Sequence, residues 1–127
     1  MDYLLLIIEP PAQRGTRTEA EGREAYARMQ RFGEALQAQG RLKAVQSLAS
    51  HASAVRVRGS GHRAQVLDGP FAEAKEMVGG FFLVDCASLA EAVDLARDCP
   101  AAEWATVEVR ALAPCFDDSL GVTGVFT

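Results

Sequence analysis

The chain has 127 residues, 49% of them hydrophobic and 24% charged, an ordinary globular composition in the size range of one domain that excludes disorder, collagen and coiled coil. Thirteen Lys and Arg against 17 Asp and Glu leave a net charge of −4, so long-range electrostatics oppose binding to nucleic acid or an anionic membrane. A chain this long should bury roughly two thirds of its unfolded surface around a single core.

Tyr3 to Ile8 is a continuous apolar run ended by Pro10 and Pro11, which predicts a strand covered on both faces. It is too short for a signal-peptide core or a membrane span, so the reading is a soluble cytoplasmic protein. Thr18-Glu-Ala-Glu21 has capping-box spacing and opens a helix that Gly40 closes. Ala25, Met29, Phe32 and Leu36 form its apolar stripe. Leu42 to Leu48 is read as a second strand. Ser53 to Arg58, with Val55-Arg-Val-Arg58 in alternation, then Gly59-Ser-Gly61 and His62 to Leu67, predict a hairpin.

Pro70 forbids a central strand where it stands, and the next strand is placed at Phe81 to Cys86. Gly79 and Gly80 before it suggest a bulge or a close backbone approach. Ser88-x-x-Glu91 is a second capping box, and Leu89, Ala92, Val93 and Ala96 form the stripe of a second helix ending before Cys99-Pro100. Ala105 to Ala111 is the last strand, with Val107 and Val109 inward. Residues 112–127 are aperiodic and read as a C-terminal tail. Two helices on one mostly antiparallel sheet give an α+β sandwich, most simply a ferredoxin-like βαββαβ fold with an inserted β-hairpin. Its second sheet face is also apolar, and a face-to-face homodimer would cover it.

Asp68-Gly69-Pro70-Phe71, followed by Glu73-Ala-Lys-Glu76 and Gly79-Gly-Phe-Phe82, resembles the hallmark of the YCII-related family, DGPF type. Met29 to Leu36 before Gly40, Val55 to Arg58, Ser88 to Ala96, Cys99-Pro100 and Val107 to Arg110 follow the family's order. The resemblance covers residues 1–111. It implies a dimeric α+β barrel in which two ferredoxin-like subunits pack sheet to sheet. It also implies a poorly defined activity, suspected in some members from a His and Asp pair in a cleft, and for DGPF members an association with extracytoplasmic-function sigma factors. The long helix here has no histidine, which departs from the first pattern.

Asp68, closing an apolar strand, is the candidate acid or base at a cleft mouth, where burial would raise its pKa. Its structural alternative is an Asx-turn onto the backbone beyond it. Arg56 and Arg58 share a strand face and could fork onto a carboxylate or phosphate, although alternating Arg also protects edge strands. Lys75 belongs to a charged segment with Glu73 and Glu76, read as one helical turn; as a nucleophile it would need a desolvated pocket. Phe71 and Phe82, with Phe81 and Tyr3, are candidates to line a pocket for a flat ligand, or are core. Neither His51 and His62 nor Cys86, Cys99 and Cys115 has metal-ligand spacing, and no cofactor is implied. Two functions are therefore carried forward. One is a cytoplasmic homodimer that binds a small organic molecule, with lyase- or isomerase-like proton transfer by Asp68. The other is a non-enzymatic interaction protein whose hairpin and tail meet a sigma-factor-linked regulatory partner.

Overall fold

A computed structural model describes residues 1–116 of the chain. In chain order it contains β1 (Asp2–Glu9), α1 (Glu19–Ala38), β2 (Leu42–Ser47), β3 (Val55–Arg58), β4 (Gln65–Asp68), β5 (Met77–Asp85), α2 (Leu89–Asp98) and β6 (Thr106–Ala111). Four strands form one sheet in the order β2-β5-β1-β6, every pair antiparallel. Once the separate β3–β4 ribbon is set aside, this is the ferredoxin-like α+β topology, with the ribbon inserted between β2 and β5.

Pleating divides β1 cleanly. Tyr3, Leu5 and Ile7 are buried beneath the helices, and on β5 so are Phe82 and Val84. With Leu36 of α1 and Ala92, Leu95 and Ala96 of α2 they form one core, each large side chain contributing about 1.5–3 kcal/mol by leaving water. The alternate residues Leu4, Leu6 and Ile8 of β1, with Phe81 and Leu83 of β5, face the other way and are half-buried in the single chain. The strand expected to be covered on both faces is thus fully covered on one.

The helix signals of α1 act as the sequence predicts. Thr18 and Glu21 exchange side-chain and backbone hydrogen bonds in a complete capping box. At the other end Gly40, at φ 72°, lets the Arg41 N–H reach Leu36 O and its own N–H reach Gln37 O, a closure that favours a residue without Cβ. In α2 only half of the predicted box forms: Ser88 Oγ accepts from the Glu91 N–H, but the Glu91 carboxylate accepts from the Ala87 N–H instead of that of Ser88.

Several expectations need correction. Leu89 is 54% exposed, and the core position belongs to Leu95, because the first residue of α2 lies beyond the sheet. β5 starts at Met77 rather than Phe81, and Gly79 is the extra residue of a bulge: Ile7 pairs with Gly80 and Ile8 with Val78. The ribbon strands are shorter than expected, with a 3-10 turn at Gly61–Arg63 between them, and all eight of their residues are exposed. Residues 72–76 form an irregular turn, not a helical one, so Glu73, Lys75 and Glu76 do not share a helix face. Of the predicted tail, Leu112 N–H bonds to Asp2 O; residues 117–127 lie outside the described part of the chain.

Candidate functional site

Only Gly33 and Leu36 of α1 are buried, and the helix's N-terminal half stands off the sheet. Two features hold it there. Arg28 forks onto Glu103 at 2.8 and 2.7 Å, and the Trp104 ring lies against both Arg17 and Arg28, each guanidinium carbon 5.4 Å from its centroid. The pairing holds the Arg28 pKa above, and the Glu103 pKa below, the ordinary value, the mutual hydrogen bond being the main cause of each. Toward the sheet, α1 presents the small residues Gly22 and Ala25 before Met29 and Gly33.

The space left between helix and sheet is a cleft of about 680 Å³, within the roughly 300–1,000 Å³ usual for small-molecule sites. Ile7, Met29, Leu42, Val45 and Phe82 give it apolar walls. At the end where β1 finishes, the wall turns polar. Glu9 continues the parity of Tyr3, Leu5 and Ile7, so its side chain points under the helix and is only 6% exposed. Arg14, in the turn after β1, donates to Glu9 Oε1 from Nε at 2.9 Å and from Nη2 at 2.6 Å. The same guanidinium reaches Leu48 O at 2.8 Å and Gly79 O at 3.3 Å, tying three chain segments to one carboxylate. Arg17 lines the wall nearby and enters no ion pair among the described residues.

The residues singled out in the sequence do not assemble here. Of the pocket candidates, Phe81 and Phe82 are in the cleft lining; Phe82 is chiefly a core ring, 3% exposed and edge-on to Phe32 with centroids 5.2 Å apart. Arg56 and Phe71 do come together, but elsewhere. The Arg56 guanidinium lies 3.7 Å from the buried Phe71 ring and donates to Glu73 at 2.9 Å, while His51 meets the same ring edge-on at 5.8 Å. A backbone hydrogen bond and then the Arg56 pairing hold the Glu73 carboxyl below its ordinary pKa. Gly69 packs against this turn so closely that a Cβ would overlap His51 O, and its N–H bonds Ala54 O at 2.8 Å. The Asp-Gly-Pro-Phe segment thus fastens the ribbon's base to the 51–54 turn.

Asp68 is exposed at the end of β4, not partly desolvated at a cleft mouth. Its side chain makes none of the expected Asx-turn hydrogen bonds among the described residues. The physical reason is that β4 belongs to the ribbon rather than the main sheet, so its end opens to solvent. Arg58 and Lys75 are also exposed, and neither has a desolvated pocket. Glu9, Arg14, Arg17 and Trp104 went unread in the sequence. The usable signal was parity: a Glu in phase with three core residues must be paired, and an Arg stands five positions on.

No group of three His, Cys, Asp or Glu side chains suited to a metal ion occurs among the described residues, and no helix there is long and apolar enough to cross a membrane. The family model for the YCII-related domain matches residues 1–115. Over 76 residues the chain is 49% identical to the uncharacterized protein R00369 of Rhizobium meliloti (strain 1021). That stretch is 58% of this chain and 61% of the relative, so the chain spans about three fifths of the relative's length. The family match takes in every strand and both helices, the cleft and the ribbon alike: the chain belongs to the YCII-related family.

Proposed function

We propose that this YCII-related protein binds a small organic molecule in the cleft between α1 and the sheet, as a homodimer whose two open sheet faces pack together. The observation that supports the binding reading is the pairing of apolar walls with one buried, Arg-anchored carboxylate at the cleft's polar end, the usual make-up of a small-molecule site. Dimerisation is supported by the contiguous apolar face of Leu4, Leu6, Ile8, Phe81 and Leu83, which the chain leaves only half-buried and a second copy would cover. Any acid or base chemistry in this cleft falls to its lining carboxylates, the buried Glu9 and the exposed Glu34, rather than to Asp68, which is exposed and outside the lining.

A ligand screen by thermal shift tests the reading, with Ala25→Leu as the control that fills the cleft from a position favourable to helix. A ligand at about 100 times its Kd adds about 2.7 kcal/mol of stability to the wild type. The shift should vanish in the variant. A hit that stabilises both proteins equally binds elsewhere and removes the cleft from the function.

A second reading, association with a sigma-factor-linked regulatory partner, is favoured by the ribbon. Val55, Val57, Val66 and Leu67 are 54–66% exposed there, an unusual apolar display for a two-stranded element. Val57→Lys combined with Val66→Glu should leave the fold intact and abolish such an association in a pull-down with the purified sigma factor. Retained capture would end this reading.

A further inference from the structure

Resting on the cleft reading above, we infer that the cleft selects a neutral ligand with a hydroxyl donor, a phenol or compact apolar alcohol, and that Glu9 Oε2 is the atom that accepts its hydrogen bond. The Glu9–Arg14 pair is asymmetric. A buried Arg–carboxylate pair commonly uses both oxygens in a fork. Here Nε and Nη2 both converge on Oε1, and Oε2 has no hydrogen-bond donor among the described residues, in a side chain 6% exposed that lines the cleft.

Oε2 is not among the buried atoms left without a partner, so it opens to the cleft, where water or a ligand donor can reach it. The geometry also keeps Arg14 from turning to serve it. Its other hydrogen bonds go to Leu48 O and Gly79 O, so the guanidinium is held in place. Beside it, Gly79 supplies the space that Oε1 occupies, since a Cβ there would overlap that atom.

Charge then narrows the class. Glu9 and Glu34 balance Arg14 and Arg17 in the lining, so the wall carries no net charge to draw in a cationic amine. An anion placed against Oε2 would meet a lone pair and no donor. A neutral O–H satisfies the oxygen without adding charge, and Ile7, Met29, Val45 and Phe82 accept the apolar body.

The test uses the full chain and four probes of one shape: p-cresol, toluene, p-toluate and p-methylbenzylamine, titrated at neutral pH and followed by amide chemical-shift changes. The expected result is that p-cresol moves the resonances of Ala25, Met29 and Val45 and binds about tenfold or more tightly than each of the others. In Glu9→Gln the amide nitrogen replaces the free oxygen, so p-cresol should lose that advantage and p-toluate should gain on it. Toluene or p-toluate binding as tightly as p-cresol in the wild type overturns the inference while the cleft reading stands, and needs no variant to fold. If no probe moves those resonances, the cleft reading falls and this inference with it.

Discussion

Gly79 and Glu9 occupy one volume. At the β1–β5 bulge the backbone of Gly79 passes so close to the Glu9 carboxylate that a Cβ at position 79 would overlap Oε1 and crowd Arg14 Nη2. The glycine and the ion pair are therefore a single device, made of residues seventy positions apart. Its consequences can be measured.

Gly79→Ala should destabilise the protein by about 2 kcal/mol or more, since either the bulge or the ion pair must shift. Urea unfolding followed by circular dichroism measures it. A variant as stable as the parent would mean that the carboxylate moves aside freely and the pair is not held.

Arg14→Met removes the cation and leaves Glu9 buried alone. Breaking a fully buried pair costs about 3–5 kcal/mol. Arg14 is one-third exposed, so water reaches the gap and the expected loss is about 2–3 kcal/mol. Glu9→Gln, which keeps an acceptor for Arg14, should lose less. The reverse order in matched denaturation curves would refute the account of the pair.

Asp68→Asn and Asp68→Ala should both leave stability within about 0.5 kcal/mol of the parent, because an exposed side chain without a partner among the described residues has little to lose. The Asx-turn expectation instead gives a loss of about 1 kcal/mol in the Ala variant alone. Thermal melts of the two variants choose between these outcomes.

The thiols should separate by burial. Cys99 is 2% exposed, and burial pushes its pKa from 9.0 to about 11; desolvation also raises Cys86. Cys115 is exposed. Brief alkylation of the native protein at pH 8 should modify Cys115 and spare the other two, as intact-mass and peptide mapping would read. The unfolded chain releases the Cys99 proton first as pH rises, so stability conferred by the neutral thiol is complete below pH 9 and is lost as pH climbs through about 11. Stability that stays flat across that window would contradict the assigned burial.

Leu6→Arg places a charge in the middle of the open sheet face. Light scattering after size exclusion should give about twice 13.6 kDa for the parent and the monomer mass for a folded variant. A monomeric parent would end the dimer proposal.

The sequence by itself determined the features written in local chemistry and periodicity. Thr18 with Glu21, Ser88 with Glu91, and Gly40 specify helix ends through groups a few residues apart. The alternation from Thr106 to Arg110 marks Val107 and Val109 as inward, the unbroken apolar run of Tyr3 to Ile8 marks a strand without saying which face is covered, and the order of elements then leads to the ferredoxin-like sheet. Even the bulge at Gly79 could be anticipated from paired glycines before a strand. The tertiary structure alone decided what those inward directions meet. Asp68 looked like the end of a core strand, yet β4 pairs only with β3, and a strand's own residues do not reveal which sheet it joins. Glu9 had the core's parity, but its partner comes from the following turn and its space from Gly79, contacts fixed only when β1 and β5 align. The cleft itself exists because Trp104 and Glu103 hold Arg17 and Arg28 at one end of α1, a spacing between helix and sheet that no local pattern encodes.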